Sequence, residues 1–342
     1  MLRLPPINLE MPTTLEEAAK AIASGDVRVV AGGTDLWPNM KRRHQKAETV
    51  VSLMSIPGLD SIDAGGKDIR IGGTASLANI VRDKKLRERL PAFAKAVASI
   101  SSPPLRNMGT IGGNLCIDTR CTYYNQTEEW RRSIDFCLKE GGTICWVATK
   151  SPKCWAHTAS DSAPILCALD AKVKLVSVDG EREIPLADMY VDDGIDYLSK
   201  KPNEILTEIT VPGTSDSKHC RSAFWKLRRR GSIDFSTMSV AAAVWIGDDN
   251  KVSRASMYLG AVGSSPVSVP EAESCLVGNA MDEKIIAEVA RAAHKVAQPM
   301  DNTDFAASWR GKMAEQYAIA ALREIAGLTP LHSQPRHILK VV

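Results

Sequence analysis

The chain has 342 residues, of which 44% are hydrophobic and 24% are charged. A chain of this length and composition can bury several cores, so we expect a multi-domain globular protein. Its 43 basic and 40 acidic residues leave a formal net charge of only +3. This balance excludes the strongly basic surface that a nucleic-acid-binding protein requires.

No stretch of the sequence approaches the roughly 18 uninterrupted apolar residues of a membrane-spanning helix. Residues 1–6 carry no apolar signal-peptide core, so we expect a cytoplasmic protein with no membrane partner. In a reducing compartment, the eight cysteines indicate metal or redox chemistry rather than a disulfide framework. Their positions are therefore more informative than their number.

The first elements along the chain indicate a small α/β unit. Thr14 and Glu17 have the spacing of a capping box, which predicts a helix that Gly25 ends. A second helix is predicted at residues 86–99. Apolar runs typical of strands lie at residues 27–31, 49–53 and 69–71.

Residues 116–157 show little periodicity, whereas the chain after them is regularly patterned. The turn at Pro212-Gly213 leads us to place a domain boundary near Ser215. The patterns beyond the irregular segment predict helices at residues 163–169, 287–296 and 305–325, and strands at residues 172–178, 208–211, 241–246 and 255–260.

Two glycine-rich loops are candidates for binding a phosphate group. Gly32-Gly33 follows the first apolar run, and Gly112-Gly113 follows the second predicted helix. Such loops let backbone N–H groups approach phosphate oxygens, because glycine has no Cβ in the way. Neither loop fits the dinucleotide or Walker patterns, which disfavours nicotinamide and nucleoside triphosphates. Taken singly, each loop is equally compatible with a plain tight turn.

Four cysteines fall within the irregular segment, separated by 15, 7 and 8 residues: Cys121, Cys137, Cys145 and Cys154. Four thiolates complete one tetrahedral metal site or one iron–sulfur cluster. Zinc sites usually contain a close pair two to four residues apart, and this set contains none. The spacing therefore favours an iron–sulfur cluster and leaves zinc as the alternative.

Together, the two loops resemble the paired FAD-pyrophosphate loops of the xanthine dehydrogenase and carbon monoxide dehydrogenase flavoprotein family. Val-Ala-Gly-Gly-Thr-Asp-Leu is followed about 75 residues later by Thr-Ile-Gly-Gly-Asn-Leu. The resemblance implies an α+β fold, with a two-part FAD-binding region (PCMH/VAO-like) before a smaller α+β C-terminal domain of the CO dehydrogenase flavoprotein type. The implied ranges are residues 1–215, divided into about 1–56 and about 57–215, and residues 220–330.

Carried onto this sequence, the resemblance implies a set of FAD contacts. Thr34, Thr110 and Asn114 would supply side-chain donors near the diphosphate and ribitol. Asp161 would help to hold the flavin nucleotide, and Lys226 would lie near the isoalloxazine, where positive charge favours reduced, anionic flavin. The alternative for Lys226 is a surface lysine without a ligand. The complete implied set is Val30, Ala31, Gly32, Gly33, Thr34, Asp35, Leu36, Ser101, Thr110, Gly112, Gly113, Asn114, Asp161 and Lys226.

The segment between Asn114 and Asp161 is about 40 residues longer than in ordinary members of this family. It resembles the extra segment of the 4-hydroxybenzoyl-CoA reductase flavoprotein subunit, where a Thr-Arg-Cys-x-Tyr-Tyr/Phe-Asn-Gln stretch opens a loop that binds a [4Fe–4S] cluster. Here that stretch is residues 119–126, within an insert at about residues 116–157. The resemblance implies that the cluster ligands are Cys121, Cys137, Cys145 and Cys154.

The other cysteines and histidines near the insert are given structural roles. Cys116 directly follows the second glycine loop and is interpreted as a packed neighbour, and His157 as a capping or surface residue. Three further cysteines lie singly, as small buried residues do: Cys167, Cys220 and Cys275. No Ser-His-Asp or paired-carboxylate constellation is visible, so no catalytic residue is predicted.

The resemblance implies electron transfer with partner subunits rather than substrate chemistry on this chain. In the family, substrate reacts at a molybdopterin centre on a large subunit. A small subunit with two [2Fe–2S] clusters lies between that centre and FAD. The implied assembly is a dimer of heterotrimers, and a [4Fe–4S] cluster near the surface implies a ferredoxin-like electron carrier.

Three functional hypotheses remain open. In the first, ferredoxin supplies electrons for the dehydroxylation of 4-hydroxybenzoyl-CoA. In the second, the same subunit serves an aromatic or heterocycle hydroxylase or dehydrogenase and passes electrons outward. In the third, the chain is a binding module in which zinc stabilises the cysteine loop and the glycine loops are only turns.

Overall fold

The computed structural model describes residues 2–23, 25–213 and 219–329. The expected α+β class is confirmed, since helices accompany three separate sheets. The proposed boundary near Ser215 lies outside the described residues. Among the described helices, none combines the length and the apolar character needed to cross a membrane.

The first part of the chain forms β1 (Asn8–Glu10), α1 (Leu15–Ile22), β2 (Val27–Val30), α2 (Leu36–Lys41) and β3 (Thr49–Ser52). The three strands are parallel, in the order β1-β3-β2. Thr14 and Glu17 form the predicted capping box at the start of α1, and the helix ends at Ile22, before Gly25. The predicted α/β unit is therefore present.

The central part forms β4 (Ile62–Asp63), β5 (Ile69–Gly72), α3 (Leu77–Arg82), α4 (Lys84–Arg89), α5 (Pro91–Ala98), α6 (Pro103–Arg106), α7 (Ile111–Leu115), α8 (Glu128–Ser133), α9 (Ala163–Ala168), β6 (Lys172–Ser177), β7 (Gly180–Pro185) and β8 (Ile205–Val211). The strands form one antiparallel sheet in the order β4-β5-β8-β6-β7. The single helix predicted at residues 86–99 is wrong. It is divided into α4 and α5, because Pro91 has no N–H group to continue the first helix and begins the second.

The last part forms β9 (Cys220–Leu227), β10 (Met238–Ile246), β11 (Val252–Gly260), β12 (Val267–Ser268), α10 (Glu271–Leu276), α11 (Glu283–Val296) and α12 (Ala307–Ala326). Its sheet is antiparallel, in the order β12-β11-β10-β9. Every other predicted helix and strand is present, with boundaries that differ by at most four residues.

Both faces of β9 and β10 are buried. Phe224, Ala241 and Trp245 pack into the core of the central part, whereas Trp225 and Val244 face the core formed with α11 and α12. Because side chains alternate across a strand, a strand that is covered on both sides has an uninterrupted apolar sequence. This arrangement explains the continuous run of small and apolar residues in β10, and it joins the two cores.

We predict that Phe224→Ala lowers the free energy of unfolding by about 3–5 kcal/mol, because it leaves a cavity where the two cores meet. Phe224 is 1% exposed. Urea denaturation of the purified chain measures the effect. Phe305→Ala is the aromatic control: Phe305 is 38% exposed, so the loss should be about 1 kcal/mol or less. Equal losses for the two variants would contradict the proposed junction.

Candidate functional site

A cavity of about 650 Å³ lies beside β2, both glycine loops and the loop that precedes β10. This volume is typical of sites for small molecules and cofactors. All the predicted FAD contacts line the cavity except Gly112 and Lys226. The fold therefore brings two loops that are about 75 residues apart in sequence to one site.

The first glycine loop lies too close to the rest of the protein to carry side chains. A Cβ at Gly32 would overlap the backbone carbonyl oxygen of Met108, which lies just before the second loop. Gly33 has a φ of +68°, and a Cβ there would overlap the indole of Trp37. Both positions therefore require glycine, and their backbone can approach a ligand in the cavity. This geometry fits a diphosphate.

The two glycines of the second loop have different roles. Gly113 lines the cavity, and its N–H donates to the Thr110 hydroxyl at 3.2 Å, which caps α7. Gly112 instead packs against the main chain, where a Cβ would lie 2.6 Å from the carbonyl oxygen of Gly73. Gly112 is thus packed against the protein, because α7 turns this residue towards the end of β5, and its contact with FAD stays a prediction.

Asp161 carries an unpaired carboxylate oxygen at the cavity wall. Its Oδ2 accepts a hydrogen bond from Lys226 Nζ at 2.6 Å, whereas its Oδ1 is buried and has no partner among the described residues. Asn114 Oδ1 fixes the segment before and after Asp161, accepting from the hydroxyls of Ser160 at 2.9 Å and Ser162 at 2.6 Å. A buried oxygen without a partner fits a ligand that donates a hydrogen bond there.

Lys226 is neither on the surface nor at the cavity wall. Its side chain is 4% exposed, and Nζ also donates to the carbonyl oxygens of Ser99 at 3.1 Å and Asp234 at 2.9 Å. The alternative of a surface lysine is therefore wrong. Burial lowers the pKa of Lys226, and pairing with Asp161 opposes that shift. With three acceptors on its ammonium group, Lys226 holds Asp161 in position.

Ser101 and Ile233 form a strained contact at the cavity. Both have positive φ angles, 48° and 59°, which non-glycine residues rarely adopt. The Ile233 N–H donates to the Ser101 carbonyl oxygen at 3.1 Å, and both residues line the cavity. Strain of this kind costs about 1–3 kcal/mol per residue and is concentrated at functional sites. The loop that precedes β10 is therefore held against the cavity.

Arg120, Tyr197 and Phe235 are among the residues of the cavity wall that were not predicted from the sequence. Arg120 belongs to the insert and pairs with Asp35 of the first glycine loop. Its position next to Cys121 was the only available signal. Tyr197 and Phe235 reach the cavity through loops without a local pattern.

We call the four cysteines of the insert the cysteine site; three of them pack in one apolar group, and Cys145 lies within electrostatic reach of those three. All four are buried, and Cys121, Cys137 and Cys154 belong to one packed group with Tyr124 and other insert residues. Burial raises the pKa of Cys121 to about 11 and that of Cys154 to about 12, and it also raises the pKa of Cys137. The charge of Cys145 contributes to each of these three shifts.

Backbone amides point at the sulfur atoms of the cysteine site. The Ala156 N–H donates to Cys154 Sγ at 3.4 Å, and backbone amides next to Cys121 and Cys137 favour their thiolates. Backbone amides that donate to cysteine sulfur atoms are compatible with cysteines that bind an iron–sulfur cluster. Within residues 2–23, 25–213 and 219–329, no three His, Cys, Asp or Glu side chains are grouped closely enough to hold a single metal ion.

The remaining candidates lie apart from the cysteine site. Cys116 lines the cavity, and Cys167 and Cys220 pack in the central core. Cys275 packs partly buried against the last core. His157 is buried rather than on the surface, and its Nδ1 lies 2.9 Å from the Thr158 carbonyl oxygen.

Comparison with known proteins agrees with this geometry. Residues 5–214 match the family described as FAD binding domain in molybdopterin dehydrogenase, and residues 222–325 match the CO dehydrogenase flavoprotein C-terminal domain. A chain of carbon monoxide dehydrogenase from Hydrogenophaga pseudoflava has the same fold, with a TM-score of 0.78 at 23% identity, covering 95% of this chain and 99% of that one.

Two relatives are similar over most of their length. The nicotinate dehydrogenase FAD-subunit of Eubacterium barkeri is 30% identical over 78% of this chain and 78% of its own. The 6-hydroxypseudooxynicotine dehydrogenase complex subunit alpha of Paenarthrobacter nicotinovorans is 26% identical over 91% of this chain and 92% of its own. The fold and the cavity thus define an FAD-binding subunit of the molybdenum hydroxylase type. The chain belongs to the molybdopterin dehydrogenase FAD-binding family.

We predict that Gly32→Ala abolishes FAD binding, because the added Cβ overlaps the Met108 carbonyl and forces the two loops apart. The FAD content of the purified protein, measured by absorbance, tests this. Gly311→Ala in α12 is the control, since a Cβ there meets nothing within 4 Å. It should keep FAD and gain up to about 1 kcal/mol in helix stability. Full FAD content in Gly32→Ala would refute the close approach.

We predict that His157 makes the free energy of unfolding decrease as the pH falls. Burial lowers its pKa from 6.5 to about 4, so between these values the unfolded chain binds the proton and the folded chain does not. Stability therefore falls as the pH falls, by at most about 1.4 kcal/mol per pH unit. In urea denaturation between pH 7 and 4.5, His157→Asn should flatten this dependence. The exposed control His219→Asn should retain it, and equal slopes for the wild type and His157→Asn would contradict the assignment.

Proposed function

We propose that this chain is the FAD and [4Fe–4S] electron-transfer subunit of a molybdopterin-containing oxidoreductase that dehydroxylates 4-hydroxybenzoyl-CoA. The observation that carries the proposal is that all four cysteines of the insert are buried, three of them in one packed group and the fourth, Cys145, close enough to act on their charge, in the segment that also contributes Arg120 to the flavin cavity. When bound, the flavin would exchange electrons in pairs or singly, and the cluster would exchange them singly.

The flavin part of the proposal rests on the cavity and its polar groups. The glycine loops provide close backbone approach, and Thr34 and Asn114 line the same wall. Asp161 presents its unpaired oxygen, and Lys226 holds it from behind without reaching the cavity. These residues would bind and orient the nucleotide, whereas Gly112 and Lys226 would act through their neighbours.

The cluster part of the proposal rests on the chemistry of the cysteine site. Four thiols, three of them with backbone amide donors at the sulfur, suit a cofactor that requires thiolate ligands. A four-iron cluster is wider than a single ion, so its ligands stand further apart than those of zinc. The cysteine site is therefore more compatible with the cluster than with the zinc-stabilised binding module. Membership of an FAD-binding family also disfavours that module.

Two buried basic side chains form ion pairs within the insert and donate to backbone oxygens of the flavin-binding part. Lys139 Nζ contacts Asp118 Oδ1 at 2.8 Å and the Gly194 carbonyl oxygen at 2.6 Å, and its side chain is 6% exposed. Arg131 is fully buried, pairs with Glu140 and donates to the Arg42 carbonyl oxygen at 2.7 Å. The cysteine site is thus held rigidly, as we expect for a redox centre next to a flavin.

The partners and the direction of electron flow belong to the same proposal. A large molybdopterin subunit and a small subunit with two [2Fe–2S] clusters would complete the enzyme as a dimer of heterotrimers in the cytoplasm. A ferredoxin-like carrier would deliver single electrons at the insert. The specific support for the 4-hydroxybenzoyl-CoA substrate is the similarity of residues 119–126 to that reductase subunit.

A second candidate follows from the relatives. Two of them are named as subunits of dehydrogenases, one of nicotinate and the other of 6-hydroxypseudooxynicotine. We therefore also consider a heterocycle dehydrogenase in which electrons leave through the same subunit. Reduction of the purified complex by ferredoxin, compared with reduction by the organic substrate, distinguishes the two directions.

The cofactors are tested by anaerobic purification of the wild type and Cys137→Ser. We predict about four irons and four acid-labile sulfides per FAD in the wild type. The variant should lose iron and sulfide and keep the flavin spectrum, because Cys137 belongs to the cysteine site and does not line the flavin cavity.

Cys275→Ser is the matched control, because this thiol lies far along the chain in the last core and should leave both cofactors unchanged. Zinc in place of iron would refute the cluster and leave a flavoprotein. A wild type that stays colourless after reconstitution with FAD, iron and sulfide would refute the whole proposal.

A further inference from the structure

Arg120 is the sequence neighbour of the cysteine site and also lines the flavin cavity. Its backbone is bonded to Cys121, and its side chain lines the cavity. Two backbone hydrogen bonds fix Arg120 against His157. The Arg120 N–H donates to the His157 carbonyl oxygen at 2.9 Å, and the His157 N–H donates to the Arg120 carbonyl oxygen at 2.8 Å. The position of the guanidinium therefore depends on the fold of the insert.

The guanidinium joins three segments that are distant in sequence. It pairs with Asp35 Oδ1 in the first glycine loop, and its carbon lies 4.9 Å from the ring centroid of Phe235 in the loop before β10. The second oxygen of Asp35 accepts from Asn39 Nδ2 at 2.9 Å. Both oxygens of the carboxylate are thus engaged, and the start of α2 is fixed.

The charge of Asp35 has to be neutralised if an anion is to bind beside it. Asp35 lies two residues after Gly33 and lines the same cavity, so its carboxylate would repel a bound diphosphate. The Arg120 side chain is 7% exposed and that of Asp35 is 30% exposed, so solvent screens the pair only in part. Removal of one partner from such a pair leaves an uncompensated charge, whereas removal of both does not.

We propose that Arg120 is a positioning residue that couples the cysteine site to FAD binding, because it neutralises Asp35 and fixes the first glycine loop. The inference rests on the proposed function and adds a dependence between its two cofactor sites. A chain whose insert is unfolded would lose this cation from the cavity and bind FAD weakly. An intact cysteine site therefore prepares the flavin site for its cofactor.

A double-mutant cycle tests the coupling on the full chain, purified anaerobically with its cluster and then freed of FAD. We expect Arg120→Gln to raise the Kd for FAD at least tenfold, with iron content unchanged. Adding Asp35→Asn to Arg120→Gln should bring the Kd back to within about threefold of the wild type, because no unpaired charge remains. Fluorescence titration with FAD measures each Kd, and a purely structural role would not produce this recovery.

Arg132→Gln is the matched control, since Arg132 lies in the same insert with a side chain that is 71% exposed. It should bind FAD like the wild type. If the wild type itself does not bind FAD, the proposed function fails. If the wild type binds FAD and Arg120→Gln binds it equally well, the coupling is overturned. A double variant as weak as Arg120→Gln also overturns it, because neutralisation of Asp35 would then not be the cause.

Discussion

The close contact between the first glycine loop and the backbone before the second is the constraint on which the flavin site depends. Gly32 faces the Met108 carbonyl oxygen at a distance that leaves no room for a Cβ. This contact brings the parallel sheet of the first part against the central part, and the cavity lies beside it. The insert fixes the same loop through the ion pair between Arg120 and Asp35. A steric requirement and an ion pair thus act on one short segment.

Much of the fold could be predicted because its signals are local. The capping box of α1, the apolar runs of the strands and the amphipathic pattern of α11 are each set by neighbouring residues. The break at Pro91 was also visible in the sequence but was outweighed by the helical pattern on both sides of it. Glycine pairs predicted the loops of the site, but not that Gly112 packs closely against the Gly73 backbone.

The structure of the insert could be predicted from the sequence only in part. Its cysteines could be recognised as a set, but the long-range contacts that hold the insert to the rest of the protein have no local pattern. Arg120 and Asp35 are 85 residues apart, and Arg131 and Arg42 are 89 apart. Lys226 illustrates the same limit, since its proximity to Asp161 depends on how β9 packs on the central part. Such contacts follow from tertiary packing alone.

The burial of β9 and β10 on both faces has a consequence for how the chain is made. The two family matches divide the sequence after residue 214, yet Phe224, Ala241 and Trp245 complete the core that the earlier residues begin. During synthesis from the N-terminus, α5 and α9 leave the ribosome before the strands that cover them. Their apolar surface stays partly open until β11, which ends at Gly260, has emerged, and an open apolar surface makes a nascent chain prone to aggregation. Sequence segments that look like two modules therefore mature together.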